Sequence, residues 1–355
     1  MRVLVATDRI GPLTSGEAGR CLAEGWSGHD VALVPIGESG AGWLRSLADQ
    51  LGSEVQLVST GTAETVGEAL ITEEVVGVAV EPTSTPLPGQ LDLDASSAPL
   101  GFALASALEG RAEGDGVRTV AIDLSGAGAH DAGAGFLAAL GAAADADLTK
   151  GVRGLGRSLG AVDISAVAER LAGVDLVGIV PYEQTGAHLL GLRGITSILG
   201  REQGMDTHQM LATDGNLERL VGLIDPAPAA LPGAGACGGL GYAVLALGGR
   251  LVTGTEHLGA RVEVAGLAAA ADLAVTGCTS FDFATRGGGA VATIAHAAEQ
   301  AMTPCIAVAG EVLIGSREMR TMGIEAAYPA PGTGGPDPRS ALTDAARRVA
   351  RSWSW

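Results

Sequence analysis

Lysine is almost missing from this chain: Lys150 is its one lysine in 355 residues, and every other basic residue is an arginine. With 40 acidic against 22 basic residues the formal charge is −18, which repels phosphodiester backbones and anionic lipid heads. No nucleic-acid and no membrane partner is therefore expected, and an anionic small molecule must be received by local arginines or backbone N–H groups. Aromatic residues make up 3% of the chain, which speaks against an aromatic-rich β-sandwich and for α/β layers of Ala, Val and Leu packed on glycine-rich backbone. The four cysteines, Cys21, Cys237, Cys278 and Cys305, form no CxxC and no Cys/His pair at zinc spacing, so reduced thiols are expected. A long apolar run is also lacking. The longest charge-free stretch, 226–249, is broken by prolines and glycines and does not read as a membrane helix. The opening MRVLVATDRI passes from a short apolar segment straight into charge, which reads as a first strand and not a signal peptide, so the expected location is cytoplasmic.

What is present has α/β rhythm. A length of 355 residues implies two domains, because single cores stop growing near about 250–300 residues. A strand at 3–6, a loop at 8–12 and a helix opened by a Thr14/Glu17 capping box are followed by a strand at 31–35 and a helix at 43–51. Near the other end a strand at 272–276, a helix at 290–302 and a strand at 305–309 make a βαβ crossover, and the last helix starts at Pro338 with Asp337 as N-cap. The middle has different punctuation, with proline-rich turns at 82–89 and 226–232. The expected architecture is a discontinuous domain, 1–62 plus 285–355, with 63–284 inserted as a second α/β domain and the ligand between them.

Three loops could carry chemistry. GAGACGGLG at 233–241 contains a GxGxxG at Gly233, Gly235 and Gly238, with Gly239 beside it, but a proline-rich stretch precedes it where a Rossmann fingerprint has a strand. The loop 123–131, with Gly126 and Gly128, follows a strand at 119–122 and precedes a helix, a better position for a phosphate. Asp131 there either binds Mg²⁺ or caps the helix, and His130 either donates to a phosphate or is a surface histidine. The third loop, 277–282, ends a parallel strand where ligands of open α/β sheets bind, with Asp282 as a base or metal ligand and Arg286 facing a phosphate. Cys278 reads as a buried thiol sooner than a nucleophile, and Glu73 and Glu74 as a solvated face.

Taken in order, the loops resemble the type I glycerate kinase family over most of the chain. The family's APDSFKGSLSA appears as ATDRIGPLTS at 6–15, DGGEGT as ESGAGW at 38–43, and GLGGSATNDGGAG as DLSGAGAHDAGAG at 123–135. GAGAAGGLG is nearly intact at 233–241, and ADLVITGEGRID appears as ADLAVTGCTSFD at 271–282. The resemblance implies a flavodoxin-like (Rossmann-like) domain from both termini, an inserted α/β domain, and ATP- and Mg²⁺-dependent phosphorylation of glycerate or a related small hydroxy acid, with a homodimer among the assemblies open to it. The departures fall on cations. No lysine stands in the first loop, Cys278 and Ser280 replace the Glu and Arg of GEGR, Ala284 replaces a Gln, the lysine expected beyond it is absent around 286–289, and Gln203 stands where the family has lysine. Arg9, Arg193 and Arg286 are the candidate phosphate ligands in their place, and Asp8, Asp131 and Asp282 the candidate catalytic residues, with Asp131 and Asp282 as candidate Mg²⁺ ligands. Phosphoryl transfer depends on such charges, so the second reading is a catalytically degenerate paralogue that binds small molecules or regulates.

Overall fold

Short runs of Val, Leu, Ile and Ala alternate with helices whose apolar residues recur on one face, and this alternation builds two sheets. The computed structural model describes residues 1–83, 91–109, 116–283 and 286–354. Part of the expected turn at 82–89 and Ala284 lie outside them. In chain order the strands of the two large sheets are β1 (Arg2–Thr7), β2 (Asp30–Pro35), β3 (Val55–Val58), β4 (Thr65–Ile71), β5 (Val75–Pro82), β6 (Thr119–Asp123), β7 (Asp175–Val180), β8 (Arg250–Thr253), β9 (Leu273–Thr276), β10 (Cys305–Ala309) and β11 (Ala326–Pro329). The chain divides into a terminal unit, residues 1–38, 45–52 and 253 onward, and a middle unit, residues 39–44 and 53–252.

In the terminal unit the sheet order is β11-β10-β9-β1-β2 and every pairing is parallel. Numbered within this sheet alone the order is 2-1-3-4-5, the flavodoxin-like arrangement, whose direction of winding reverses between β1 and β9. Its central strands are buried on both faces, Val3, Val5, Val275, Ile306 and Val308 on one and Leu4, Ala6, Ala274 and Ala307 on the other, as a parallel sheet covered by helices requires. The helix Ser15–Ala23 has the Thr14/Glu17 capping box. The helix Pro338–Trp353 has Asp337 accepting from the Ser340 amide, and it buries Leu342, Ala346 and Val349 in the same core as Leu22 and Trp26. Because β9 pairs with β1 on one side and β10 on the other, the residues from 253 to 283 group with the termini, and the grouping changes near 52 and 252 where the sequence suggested 62 and 284.

The middle unit has the sheet order β8-β7-β6-β5-β4-β3. β5, β6 and β7 run parallel, while β3, β4 and β5 are antiparallel neighbours. Val76, Val78, Val120, Ile122, Leu104 and Phe136 fill its core. Glu73 and Glu74 are exposed in the turn between β4 and β5. Among the described residues no helix is long and apolar enough to cross a membrane.

Candidate functional site

In the terminal unit the chain leaves the carboxyl ends of β1 and β9, the two strands that flank the winding reversal, and ligands of open α/β sheets bind at that place. The Asp8 amide donates to the Gly277 carbonyl at 3.1 Å, which ties the two loops together. A Cβ on Gly277 would lie 2.2 Å from the Val308 carbonyl oxygen, so only glycine lets the loop pass. Burial pushes the Asp8 carboxyl up to about 6; the neighbouring Glu38 charge adds to the rise, and the backbone donors of Arg9 and Glu38 oppose it. Asp282 ends a short strand, Ser280–Asp282, paired in parallel with Glu311–Leu313, and its Oδ2 accepts from Ser280 Oγ at 3.2 Å.

Glu38 comes to the same region from the end of the second β-α connection. A Cβ built on Gly288 would meet Glu38 Oε2 at 2.6 Å, so this carboxylate lies against the first turn of the helix Gly288–Ala301, where the helix dipole favours negative charge. Cys278 lies in the field of Asp8, Asp282 and Glu38. Burial first, and those charges second, push its thiol up to about 12, and its Sγ donates to the Ser280 carbonyl at 3.2 Å. It is a neutral thiol, as the sequence reading favoured. Two arginines accompany these acids: Arg9 is exposed, with Nη2 donating to the Gly11 carbonyl at 3.2 Å, and the Arg286 guanidinium carbon lies 6.0 Å from the centroid of the Phe283 ring.

The middle unit treats its glycine-rich loops differently. Asp131 is fully buried and accepts four hydrogen bonds: Oδ2 from the Ser97 amide (2.9 Å), Ser97 Oγ (2.9 Å) and the Gly135 amide (3.1 Å), and Oδ1 from the Gly133 amide (3.0 Å). Three of the four donors crowd onto Oδ2 and one reaches Oδ1, so the carboxylate is tied into the fold by its neighbours. The residue anchors the turn into the helix Ala134–Ala139, close to the capping role weighed beside Mg²⁺ binding.

The glycines of 233–241 are taken up by backbone packing. A Cβ on Gly238 would lie 1.6 Å from the Ala129 carbonyl oxygen, and one on Gly235 2.2 Å from that of His188. Gly239 would meet Ala132, and Gly233, in the left-handed region, would meet the Leu251 side chain. The Gly235 and Gly239 amides already donate to the carbonyls of Ala187 and Gly235. Cys237 stands in the left-handed region at φ 51° and ψ 51°, and its amide donates to Gln184 Oε1 at 2.8 Å. In the other loop Gly126 presses on the Val80 carbonyl, whereas Gly128 meets nothing within 4 Å. These contacts account for most of the candidate glycines without a phosphate.

His130 is buried with Nε2 against Thr196 Oγ1 at 2.9 Å, and burial pushes it down to about 4, so it is a neutral internal histidine and no surface group. Asp123, the first residue of the 123–131 loop, is buried at the end of β6, where it accepts from the amides of Gly40 (2.7 Å) and Ser125 (3.0 Å). Glu81 Oε1 takes the Ala41 amide at 3.4 Å. Two of the chain's own carboxylates therefore hold the amides that open the helix Gly40–Leu51. Arg193 is exposed before the helix Ile195–Glu202, and Lys150 is paired with Asp147 at 3.6 Å. Among the described residues no three His, Cys, Asp or Glu side chains are grouped to hold a metal. Glu38 and Asp123 open two of the motif segments without having been singled out as site residues, and Glu81 lies in none; each gains its meaning from a partner distant in the chain.

A sequence profile described as the glycerate kinase family matches residues 3–354. An uncharacterized protein of Mycobacterium bovis is 29% identical over an alignment covering 98% of this chain and 89% of its own length. A glycerate kinase of Bacillus subtilis is 25% identical, covering 92% of this chain and 90% of its own. The crystal structure of a protein assigned as a glycerate kinase 2 of Salmonella typhimurium shares the fold, with a TM-score of 0.81 at 22% identity over 99% of this chain and 98% of that one.

Proposed function

The chain belongs to the glycerate kinase family, and from that premise we infer that it transfers the γ-phosphoryl group of ATP to a hydroxyl of glycerate or a related small hydroxy acid. What carries the reading is the convergence of Asp8, Glu38 and Asp282 at the winding reversal of the flavodoxin-like sheet. In the reaction the substrate hydroxyl oxygen attacks the γ-phosphorus, the bond to the β,γ-bridging oxygen breaks, and ADP leaves. Asp8 is the proposed base. A carboxyl whose affinity for a proton has risen to about 6 accepts the hydroxyl proton more readily than an ordinary aspartate and is still ionised at neutral pH.

Mg²⁺ is satisfied by one or two carboxylates when phosphate oxygens complete its shell. Asp282, half-buried at the rim of this region, would be the one carboxylate of the chain offered to an ion that arrives with the nucleotide, with Asp8 left to take the proton. Such an ion would offset charge on the transferred group. Arg9 is proposed to face the carboxylate of the acid. Arginine keeps its charge in every environment and presents paired donors, so it takes over from the absent lysines with a different geometry.

The test is release of ADP, followed by a coupled assay, with glycerate and with a panel of three- and four-carbon hydroxy acids. Turnover with at least one of them is expected. No ADP release with any would overturn the assignment and leave the non-catalytic reading.

A further inference from the structure

The chain has four phenylalanines, and one of them is spent in an unusual way. Phe136 and Phe281 are fully buried and Phe102 lies over Gly61, but Phe283 is 64% exposed. It directly follows Asp282, in the loop beyond the carboxyl end of β9. The Arg286 guanidinium lies over its ring at 6.0 Å, within the range at which a cation is drawn to an aromatic face. Arg286 holds that position from a backbone φ of 51°, which side-chain-bearing residues seldom adopt. An exposed aromatic ring with a planar cation over one face leaves its other face open, and such a face is a surface on which heterocyclic bases stack, tolerating different bases.

Resting on the phosphoryl-transfer reading, we propose that Phe283, with Arg286 beside it, is the platform on which the base of the nucleotide donor stacks. The position suits the role, because Phe283 directly follows Asp282, the carboxylate proposed for the ion that accompanies the phosphates. The ring recognises a flat heterocycle and the guanidinium limits its sliding. Specificity for a nucleotide over inorganic polyphosphate then resides in a residue that takes no part in the chemical step.

The experiment compares equilibrium binding of ATP and of inorganic tripolyphosphate to the full chain, to Phe283→Ala and to Phe283→Trp. Loss of one stacked base is expected to weaken ATP about tenfold in Phe283→Ala, with tripolyphosphate unchanged. Phe283→Trp keeps ATP affinity, and its indole fluorescence is quenched by ATP and not by tripolyphosphate. Equal ATP binding by Phe283→Ala and the unaltered chain overturns the proposal, as does parallel loss of ATP and tripolyphosphate, or a Phe283→Trp signal indifferent to ATP. An unaltered chain that binds tripolyphosphate but no better with a base attached also overturns it. A chain that binds neither overturns the phosphoryl-transfer reading together with it.

Discussion

Glycine-rich loops occur in both units, and they do opposite work. At 123–135 and 233–241 in the middle unit, the missing side chains admit other backbone, and the acids among them are sealed: Asp131 and Asp123 are fully buried with their oxygens accepting from amides and hydroxyls. At 277–289 in the terminal unit, the loop carries a half-buried Asp282, an exposed Phe283 and an exposed Arg286, close to an Asp8 whose proton affinity is raised. Similar letters thus mark a scaffold joint in one unit and, in the other, the open rim on which the proposed chemistry rests. Donor saturation and exposure separate the two, and a motif pattern shows neither.

Substitutions test this contrast, and the largest effect is expected at Gly238. A Cβ there strikes the Ala129 carbonyl, so Gly238→Ala should cost more than about 4 kcal/mol or abolish soluble expression, read by urea unfolding and yield. A Gly238→Ala protein of ordinary stability would refute the joint. Asp131→Ala strands four buried donors and should lower stability by at least about 3 kcal/mol. Asp282→Ala should do the reverse: kcat falls on the order of 10² to 10³ while the urea midpoint scarcely moves. If activity survives Asp282→Ala, the reactive rim lies elsewhere. Gly128→Ala, with φ 62° but open space around it, should cost only about 1 kcal/mol, and a loss as large as that of Gly238 would erase the distinction between clash and backbone preference.

The smallest effect is one of pH. If Asp8 is the base, kcat/KM falls as pH drops below about 6, because the raised carboxyl takes up its proton there. Glu38 contributes to that rise by repulsion, so Glu38→Gln lowers the Asp8 value and moves the acid limb to lower pH. A limb that stays in place, or moves upward, would break the link between the two acids.

The terminal unit was the more legible in sequence. The Thr14/Glu17 box, the Asp337 cap and the strand at 305–309 follow from local chemistry, and the structure has each of them. The hairpin strands β3 to β5 and the helix Thr207–Ile224 went unread, because exposed positions such as Leu57 and Leu211 blur their periodicity. For the site, Asp8 and Asp282 were readable from their position after strands. Glu38 was not, since its meaning depends on a helix that begins at Gly288. The glycines misled for a physical reason: close backbone approach and anion binding select the same residue, and only the neighbours tell them apart.

The pairing of β1 with β9 bears on how this chain is made. Arg2 bonds Asp272 across a separation of 270 residues, so β1 waits for a neighbour that is made only after the whole middle unit. The stretch 53–252 is contiguous and holds its own sheet and core. Domains generally fold as units during synthesis, so the middle unit is complete while β1 and β2 still present bare apolar faces. Truncation before residue 273 should leave a folded insert preceded by an unfolded segment, and the acids of the winding reversal meet only after the insert has been made.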